Sequence, residues 1–158
     1  YPTKAEGSSY QMSVGKDART AVSVGVGDRG VSAMHDATEC GIRGGVFELA
    51  KAAGLGVRLE PDKVVRTECV AEICDHFTID PFVSISEGTL LIAARPARAD
   101  AVVAALAGQG IRSSVAGEFT DPKFGIRAVE AGREKPFEHP GVDPFWKAFY
   151  GALKENTG

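Results

Sequence analysis

The 158-residue sequence has little that would mark a membrane, nucleic-acid or disulfide-built protein. Its longest apolar stretches, Leu90–Ala94 and Ala101–Ala107, fall far short of the ~20 residues that a bilayer-spanning helix needs. There is no basic excess: 18 Lys and Arg stand against 21 Asp and Glu, a net charge of −3 that argues against a nucleic-acid module. No membrane or nucleic-acid partner is therefore expected. The three cysteines, Cys40, Cys69 and Cys74, are odd in number and show no framework spacing, which favours a reducing compartment. No CxxC pair occurs, so a structural zinc site finds no support and no metal site is expected. The opening residues lack the basic and apolar regions of a secretory signal, and a cytoplasmic protein is expected.

Glycine, by contrast, is abundant. Nineteen glycines are about 12% of the chain, against a usual ~7%. Without a collagen or low-complexity period, such an excess suggests that backbone approaches something closely at several places. Apolar residues at 44% and charged residues at 25% describe one compact domain with its own core.

Residues 1–12 read as a lead or linker. Apolar residues Val14, Ala18, Ala21 and Val22 fit a helix capped by Ser13, although Thr20–Val26 also reads as a strand. Val31–Met34 predicts a short strand, Cys40–Ala53 a helix stopped by Gly54, and Leu55–Leu59 a half-buried strand. Thr67–Phe77 carries Val70, Ile73, Cys74 and Phe77 at helical spacing. Pro81–Ile85 and Thr89–Ala94 are strand-like around a Ser86–Gly88 turn, and Ala97–Ala107 is an alanine-rich helix. Two more strands are expected at Ile111–Phe119 and Phe124–Val129. After a crossing at Lys135–Gly141, Asp143 and Pro144 open a last helix striped by Phe145, Phe149 and Leu153. Helices interleaved with strands give an α/β or α+β fold, a mixed sheet packed against helices.

Gly25–Gly30 matches GxGxxG letter for letter, but a strand-like run follows it where a phosphate-binding loop must open a helix. It reads as a turn. His35–Gly45 is more informative: Asp36 or Thr38 can cap the helix that follows, which leaves first-turn N–H groups to meet an anion. Gly41, Gly44 and Gly45 cost that helix about 1 kcal/mol each against alanine, so they need a reason. Either a ligand or another part of the chain comes close. Cys40, at the helix start, is a candidate for thiolate character, yet nothing nearby in sequence supplies a base. Ser86, Glu87, Gly88 and Thr89 form a turn that could equally line a cleft. No catalytic residue is assigned.

The ordered segments Val31–Ile42, Glu48–Val57, Asp80–Pro81, Ser86–Leu91 and Val115–Glu118 together resemble the C-terminal domain of the aminoimidazole ribonucleotide (AIR) synthase superfamily, over about residues 10–129. The hydrogenase-maturation dehydratase branch and AIR synthase-related proteins are the nearest in look. The resemblance implies an AIR synthase-like domain over 13–130 and a C-terminal extension with a terminal helix over 131–158. It further implies an enzyme of two domains that uses ATP and Mg2+ to activate a substrate oxygen by phosphorylation, and that is a homodimer in full length. Its N-terminal ATP-binding domain is missing here, so this chain alone is expected to be inactive and to hold no cofactor tightly. Asp36, Thr38 and Gly41 fall on an Asp-x-Thr-x-x-Gly motif, and Glu87, Gly88 and Leu90 on a Glu-Gly-x-Leu loop, both facing the phosphate or substrate side. The phosphate- or substrate-facing set is thus Asp36, Thr38, Glu39, Gly41, Gly44, Gly45, Ser86, Glu87, Gly88 and Thr89.

Two departures qualify the resemblance. Glu39 stands where that branch carries an arginine, and the sequence runs out in Lys154–Gly158 without the branch's carbamoyl-accepting cysteine. Carbamoyl dehydration is therefore not the expected reaction. The alternative is a stand-alone small-anion-binding or regulatory module.

Overall fold

A computed structural model describes residues 12–155. Among the described residues, five α-helices and six strands form a mixed α/β fold arranged around one central helix. The helices are α1 (Gly15–Val22), α2 (Gly41–Ala53), α3 (Glu68–Phe77), α4 (Ala99–Gly108) and α5 (Pro144–Glu155). The strands are β1 (Val31–Asp36), β2 (Gly56–Leu59), β3 (Leu90–Ala94), β4 (Gly117–Thr120), β5 (Ile126–Glu130) and β6 (Arg133–Pro136). β1 and β3 form an antiparallel ladder that pairs His35 with Leu91 and Asp36 with Leu90. The other four lie in the order β4-β2-β5-β6, with β2 and β5 parallel and the outer pairs antiparallel.

Helix α2 sits between these sheets with one apolar stripe toward the larger sheet and Gly45 against Leu91 of the ladder. Ile42, Val46 and Ala50 pack with Val57 and Leu59 of β2 and Ala128 of β5, while half-buried Leu91 of β3 joins the same cluster. Across the β1–β3 ladder, the second core joins Ala21 of α1, Val31 of β1 and Val102 and Leu106 of α4, with Met34 and Ile92 beside them. Period-2 alternation explains the division: adjacent Leu91 and Ile92 point to opposite faces of one strand. Arg43 of α2 reaches Glu130 of β5 at 2.5 Å and so ties the central helix to the larger sheet.

Several expectations hold. Gly54 ends α2 in the left-handed region, the expected helix at Thr67–Phe77 forms as α3 with Thr67 standing just outside it as the cap that accepts the Val70 N–H, and the Gly25–Gly30 segment leads into β1. Others need correction. Thr20–Val22 is helical, but α1 is headed by Val14 without a side-chain cap, since the Gly15 N–H reaches Ser13 Oγ at only 3.5 Å. Pro81–Ile85 forms turns and no strand, because its groups are spent locally and on α2: Asp80 Oδ1 accepts the Phe82 N–H, and the Phe82 carbonyl accepts the Arg43 N–H. β3 accordingly takes β1 as its partner. Of the expected Ile111–Phe119 strand only the end from Gly117 pairs, and Lys135 and Pro136, read as the start of a crossing, belong to β6, which extends the sheet.

The entry into α2 requires glycine. Gly41 has φ +60°, and a Cβ there would stand 2.6 Å from the Ser84 carbonyl oxygen and 2.8 Å from that of Phe82. Gly108, at the end of α4, faces open space. Gly41→Ala is expected to destabilise the chain by about 2–3 kcal/mol, from left-handed strain plus backbone overlap. Gly108→Ala is expected to stabilise it by about 0.4–1 kcal/mol. Urea unfolding of the two variants checks both signs.

Candidate functional site

Two loops meet at one end of the β1–β3 ladder. β1 runs out through Asp36 into the 37–40 loop, and β3 is entered from the 84–89 loop. The Ala37 N–H donates to the Thr89 carbonyl at 2.9 Å, and the Ser86 N–H donates to the Thr38 carbonyl at 3.0 Å. The residues singled out in sequence as Asp36–Glu39 and Ser86–Thr89 are thereby brought together from positions about fifty apart. Gly88, at φ +85°, turns the second loop into β3, and Ser86 Oγ donates to the Ser84 carbonyl at 2.9 Å. Asp36, Thr38, Glu39 and Glu87 are exposed, whereas Ser86, Gly88 and Thr89 are half-buried. None of the three carboxylates is in an ion pair among the described residues. The loops thus present an acidic rim interleaved with hydroxyls.

Immediately behind the rim lies the N-terminus of α2, and its capping differs from expectation. Neither Asp36 nor Thr38 caps it. The N-cap position is Cys40, itself in the left-handed region at φ 61°, with no side-chain cap of its own. A carboxylate from far along the chain takes that role: the Cys40 N–H donates to Asp143 Oδ2 at 2.7 Å. Asp143 is 3% exposed. Its Oδ1 accepts the Phe145 N–H at 2.8 Å, at the start of α5, and the Ser84 hydroxyl at 3.4 Å. One buried carboxylate therefore serves two helix starts, where both dipoles favour negative charge. With the Arg43 N–H also committed to the Phe82 carbonyl, much of the expected anion cradle is filled by the protein itself.

The glycines behind the rim have the same explanation. Close approach at Gly41 is to the Phe82 and Ser84 backbone; at Gly44 a Cβ would stand 2.7 Å from Cys40 Cβ and 3.3 Å from His139 Nε2. At Gly45 it would stand 2.7 Å from Leu91 Cδ1. Packing by the chain's own atoms accounts for all three.

Sequence reasoning missed a second group beside α2. Glu48 Oε2 lies 2.7 Å from His35 Nε2, and Glu48 Oε1 lies 3.4 Å from His139 Nε2. The His139 ring meets Phe47 edge-on at 5.7 Å, so β1, α2 and the segment before α5 are joined. His35 and Glu48 are 13 residues apart, but His139 lies far along the chain, and no spacing signal could have joined the three. Among the described residues, no group of three or more His, Cys, Asp and Glu side chains is placed to hold a metal ion. No described helix is long and apolar enough to cross a membrane.

Cys40 also departs from expectation. Burial, and then the charges of Asp143, Glu39 and Glu48, push its thiol pKa up, so the helix start does not make it a thiolate.

A mixed α/β fold built around a helix whose entry is flanked by these two loops defines a C-terminal domain of the AIR synthase-related class. The family model "AIR synthase related protein, C-terminal domain" matches residues 15–129, and the chain belongs to that family. It is 30% identical over 118 residues to carbamoyl dehydratase HypE of Escherichia coli K12, which covers 73% of this chain and 35% of that protein. The crystal structure of E. coli HypE, a hydrogenase maturation protein, superposes with a TM-score of 0.71 at 26% identity, over 85% of this chain and 42% of that one. The hydrogenase maturation protein HypE solved in complex with ATP shares the fold with a TM-score of 0.60 at 20% identity, over 70% of this chain and 37% of that one. The chain thus spans about a third of the length of this curated relative.

Two outcomes test the site's geometry. Asp143→Ala should leave the Cys40 and Phe145 N–H groups and the Ser84 hydroxyl without their acceptor. A loss of about 1–3 kcal/mol in urea unfolding is expected, with Asp143→Asn less severe. The elevated Cys40 pKa stabilises the fold below the ordinary thiol value, and this contribution is lost as pH rises through the elevated one. Native Cys40 should accordingly be alkylated by iodoacetamide at pH 8 at least tenfold more slowly than in urea, as read by peptide mass spectrometry.

Proposed function

We propose that this chain is the C-terminal, substrate-facing domain of an AIR synthase-related enzyme that uses ATP to activate a substrate oxygen by phosphorylation. The observation that carries the reading is the joining of the 36–40 and 84–89 loops by two backbone hydrogen bonds at one end of the β1–β3 ladder. The substrate-facing set is Asp36, Thr38, Glu39, Ser86, Glu87 and Thr89, with Gly41, Gly44, Gly45 and Gly88 shaping the backbone around it. Exposed carboxylates accept hydrogen bonds from an amide-type nitrogen, and the Thr38 and Thr89 hydroxyls can serve an oxygen. Such a wall orients a substrate for attack by one of its oxygens, and orientation is a large part of what phosphoryl transfer asks of a protein.

The relatives' printed names support ATP and a dehydration as the chemistry of the longer protein. The described residues of this chain do not suit the nucleotide itself. No metal-holding cluster is present among them, the Cys40 N–H at the α2 start is taken by Asp143, and the rim is acidic. ATP and Mg2+ are therefore assigned to the remainder of the longer protein, the N-terminal ATP-binding domain, through which homodimer formation would also run. Cys40, Cys69 and Cys74 are all free thiols, which suits a cytoplasmic setting. The alternative of a stand-alone small-anion-binding or regulatory module is disfavoured because the chain's own carboxylate sits where the anion would.

Residues 1–158 alone are expected to show no ATP hydrolysis above background, and robust turnover by them would overturn the reading. In the longer protein, Asp36→Asn combined with Glu87→Gln should lower kcat/KM by about tenfold or more, ~1.4 kcal/mol of transition-state stabilisation, with thermal stability unchanged.

A further inference from the structure

Behind the acidic rim, Glu48 of α2 stands between two imidazoles. Its Oε2 lies 2.7 Å from His35 Nε2 on β1, and its Oε1 lies 3.4 Å from His139 Nε2 in the segment that leads to α5. The other nitrogen of His139 is also occupied, since the Gly141 N–H donates to His139 Nδ1 at 3.0 Å. A ring nitrogen accepts a hydrogen bond only when it carries no proton, so this bond requires a bare Nδ1. The neutral ring then carries its hydrogen on Nε2, on the side of Glu48. His139 is thus held as the neutral Nε2–H tautomer from both sides, with its ring edge-on against Phe47.

A second proton cannot be added to that ring without a loss. An imidazolium donates from both nitrogens, so an Nδ1–H would face the Gly141 N–H, donor against donor, while the Nε2–H would keep Glu48. The Gly141 bond is the one that breaks. It closes a tight turn: Gly141 has φ +81°, the Val142 N–H donates to the Pro140 carbonyl at 3.0 Å, and Asp143 follows directly. Asp143 in turn accepts the Cys40 N–H, at the exit of the 37–40 loop. The other ionisable groups around His139 carry no such conflict. On β1, His35 Nδ1 has no hydrogen-bond partner among the described residues, so protonation there breaks nothing. On α2 and at its start, Glu48 only accepts, the Cys40 thiol is buried with its pKa pushed up by burial and then by the charges around it, and Lys51 lies over the Phe47 ring at 5.4 Å. Glu39 of the 37–40 loop and Glu138 of the ring's own segment are exposed, and Asp143 is buried on its three donors. Histidine is the side chain whose charge ordinarily changes between about pH 5 and 8.

We infer that His139 is a proton-operated latch on the candidate site: neutral, it closes the 139–141 turn and holds Asp143 on the Cys40 N–H; protonated, it releases the turn and loosens that cap. Acidification thereby frees the 37–40 loop from its far-end anchor while α2 keeps its core. The latch lies beyond residues 15–129 that the family model matches, and it does not depend on which substrate the two loops face.

NMR of the 158-residue chain at about pH 7.5 and about pH 5.5 tests it, reading the histidine ring nitrogens and the protection factors of single amides, from which the intrinsic pH dependence of exchange is removed. At the higher pH, His139 should show a protonated Nε2 and a bare Nδ1. At the lower pH, the Gly141 and Cys40 amides should lose protection by about fivefold or more, while Val46 and Ala50 in the α2 core keep theirs. His139→Asn retains an acceptor close to the position of Nδ1 and cannot be protonated, so both amides should stay as protected at the lower pH as at the higher. His35→Asn should leave the loss in place. A His139 ring with its hydrogen on Nδ1 at the higher pH overturns the inference, as does undiminished protection of Gly141 and Cys40 at the lower pH. A loss that persists in His139→Asn, or that disappears in His35→Asn, overturns it in favour of another titrating group. The tautomer and the wild-type protection are read on the unaltered chain and stand whatever the variants do to folding.

Discussion

The arrangement of the candidate site depends on a single buried carboxylate. A charge in the interior costs several kcal/mol unless donors surround it. Asp143 meets that demand with the Cys40 and Phe145 amides and the Ser84 hydroxyl, at two helix starts whose dipoles add to the attraction. Because Cys40 is 103 residues away in sequence, this contact binds the beginning of the domain to its end. It holds Cys40 in a left-handed conformation that a non-glycine residue otherwise resists, and that conformation aims the 37–40 loop at the 84–89 loop. The segment after β5 is therefore part of the domain's architecture: β6 lengthens the sheet, Phe137 packs against the α2 core, and Asp143 completes the helix start.

Helix α2 has a sheet on either flank but one apolar stripe, and this decides what its glycines do. A helix pressed between a two-stranded ladder and a four-stranded sheet must give up side-chain volume where it comes closest. Gly45 yields to Leu91, Gly44 to Cys40 and His139, and Gly41 to two carbonyls of the 82–84 turn. The glycine excess in the composition signals close approach, and at α2 the approaching party is the protein.

Legibility from sequence followed the range of the interactions. Elements set by local chemistry were readable: the α2 stop at Gly54 and the Asp143–Pro144 opening of α5 each rest on residues within one turn. Elements set by distant partners were not. Pro81–Ile85 has the alternation of a strand, but its backbone groups serve Asp80 and α2. Arg133–Pro136 is charged and proline-bounded, and it becomes a strand only because β5 offers an edge. The α2 cap was expected from Asp36 or Thr38, since Ser, Thr, Asp and Asn cap from nearby; the carboxylate used arrives from the far end of the chain. The two loops of the candidate site were legible as motifs, and their hydrogen-bonded meeting was not.

The distribution of charge sets the character of the rim. Arg43, Arg58, Lys63, Arg127 and Lys135 are engaged with Glu60, Glu130 and Glu134, and these pairs stitch the four-stranded sheet and join it to α2. The two glutamates among them with shifted values, Glu60 and Glu130, have carboxyl pKa values held down by hydrogen bonds, to Lys63 and Arg58 and to Arg43 and Lys135 respectively. Cations used in this way do not reach the rim. Asp36, Glu39 and Glu87 on one side, and Glu68, Glu72 and Asp75 along α3, stay without ion-pair partners among the described residues. Unpaired carboxylates repel a bare phosphate and attract whatever brings positive charge.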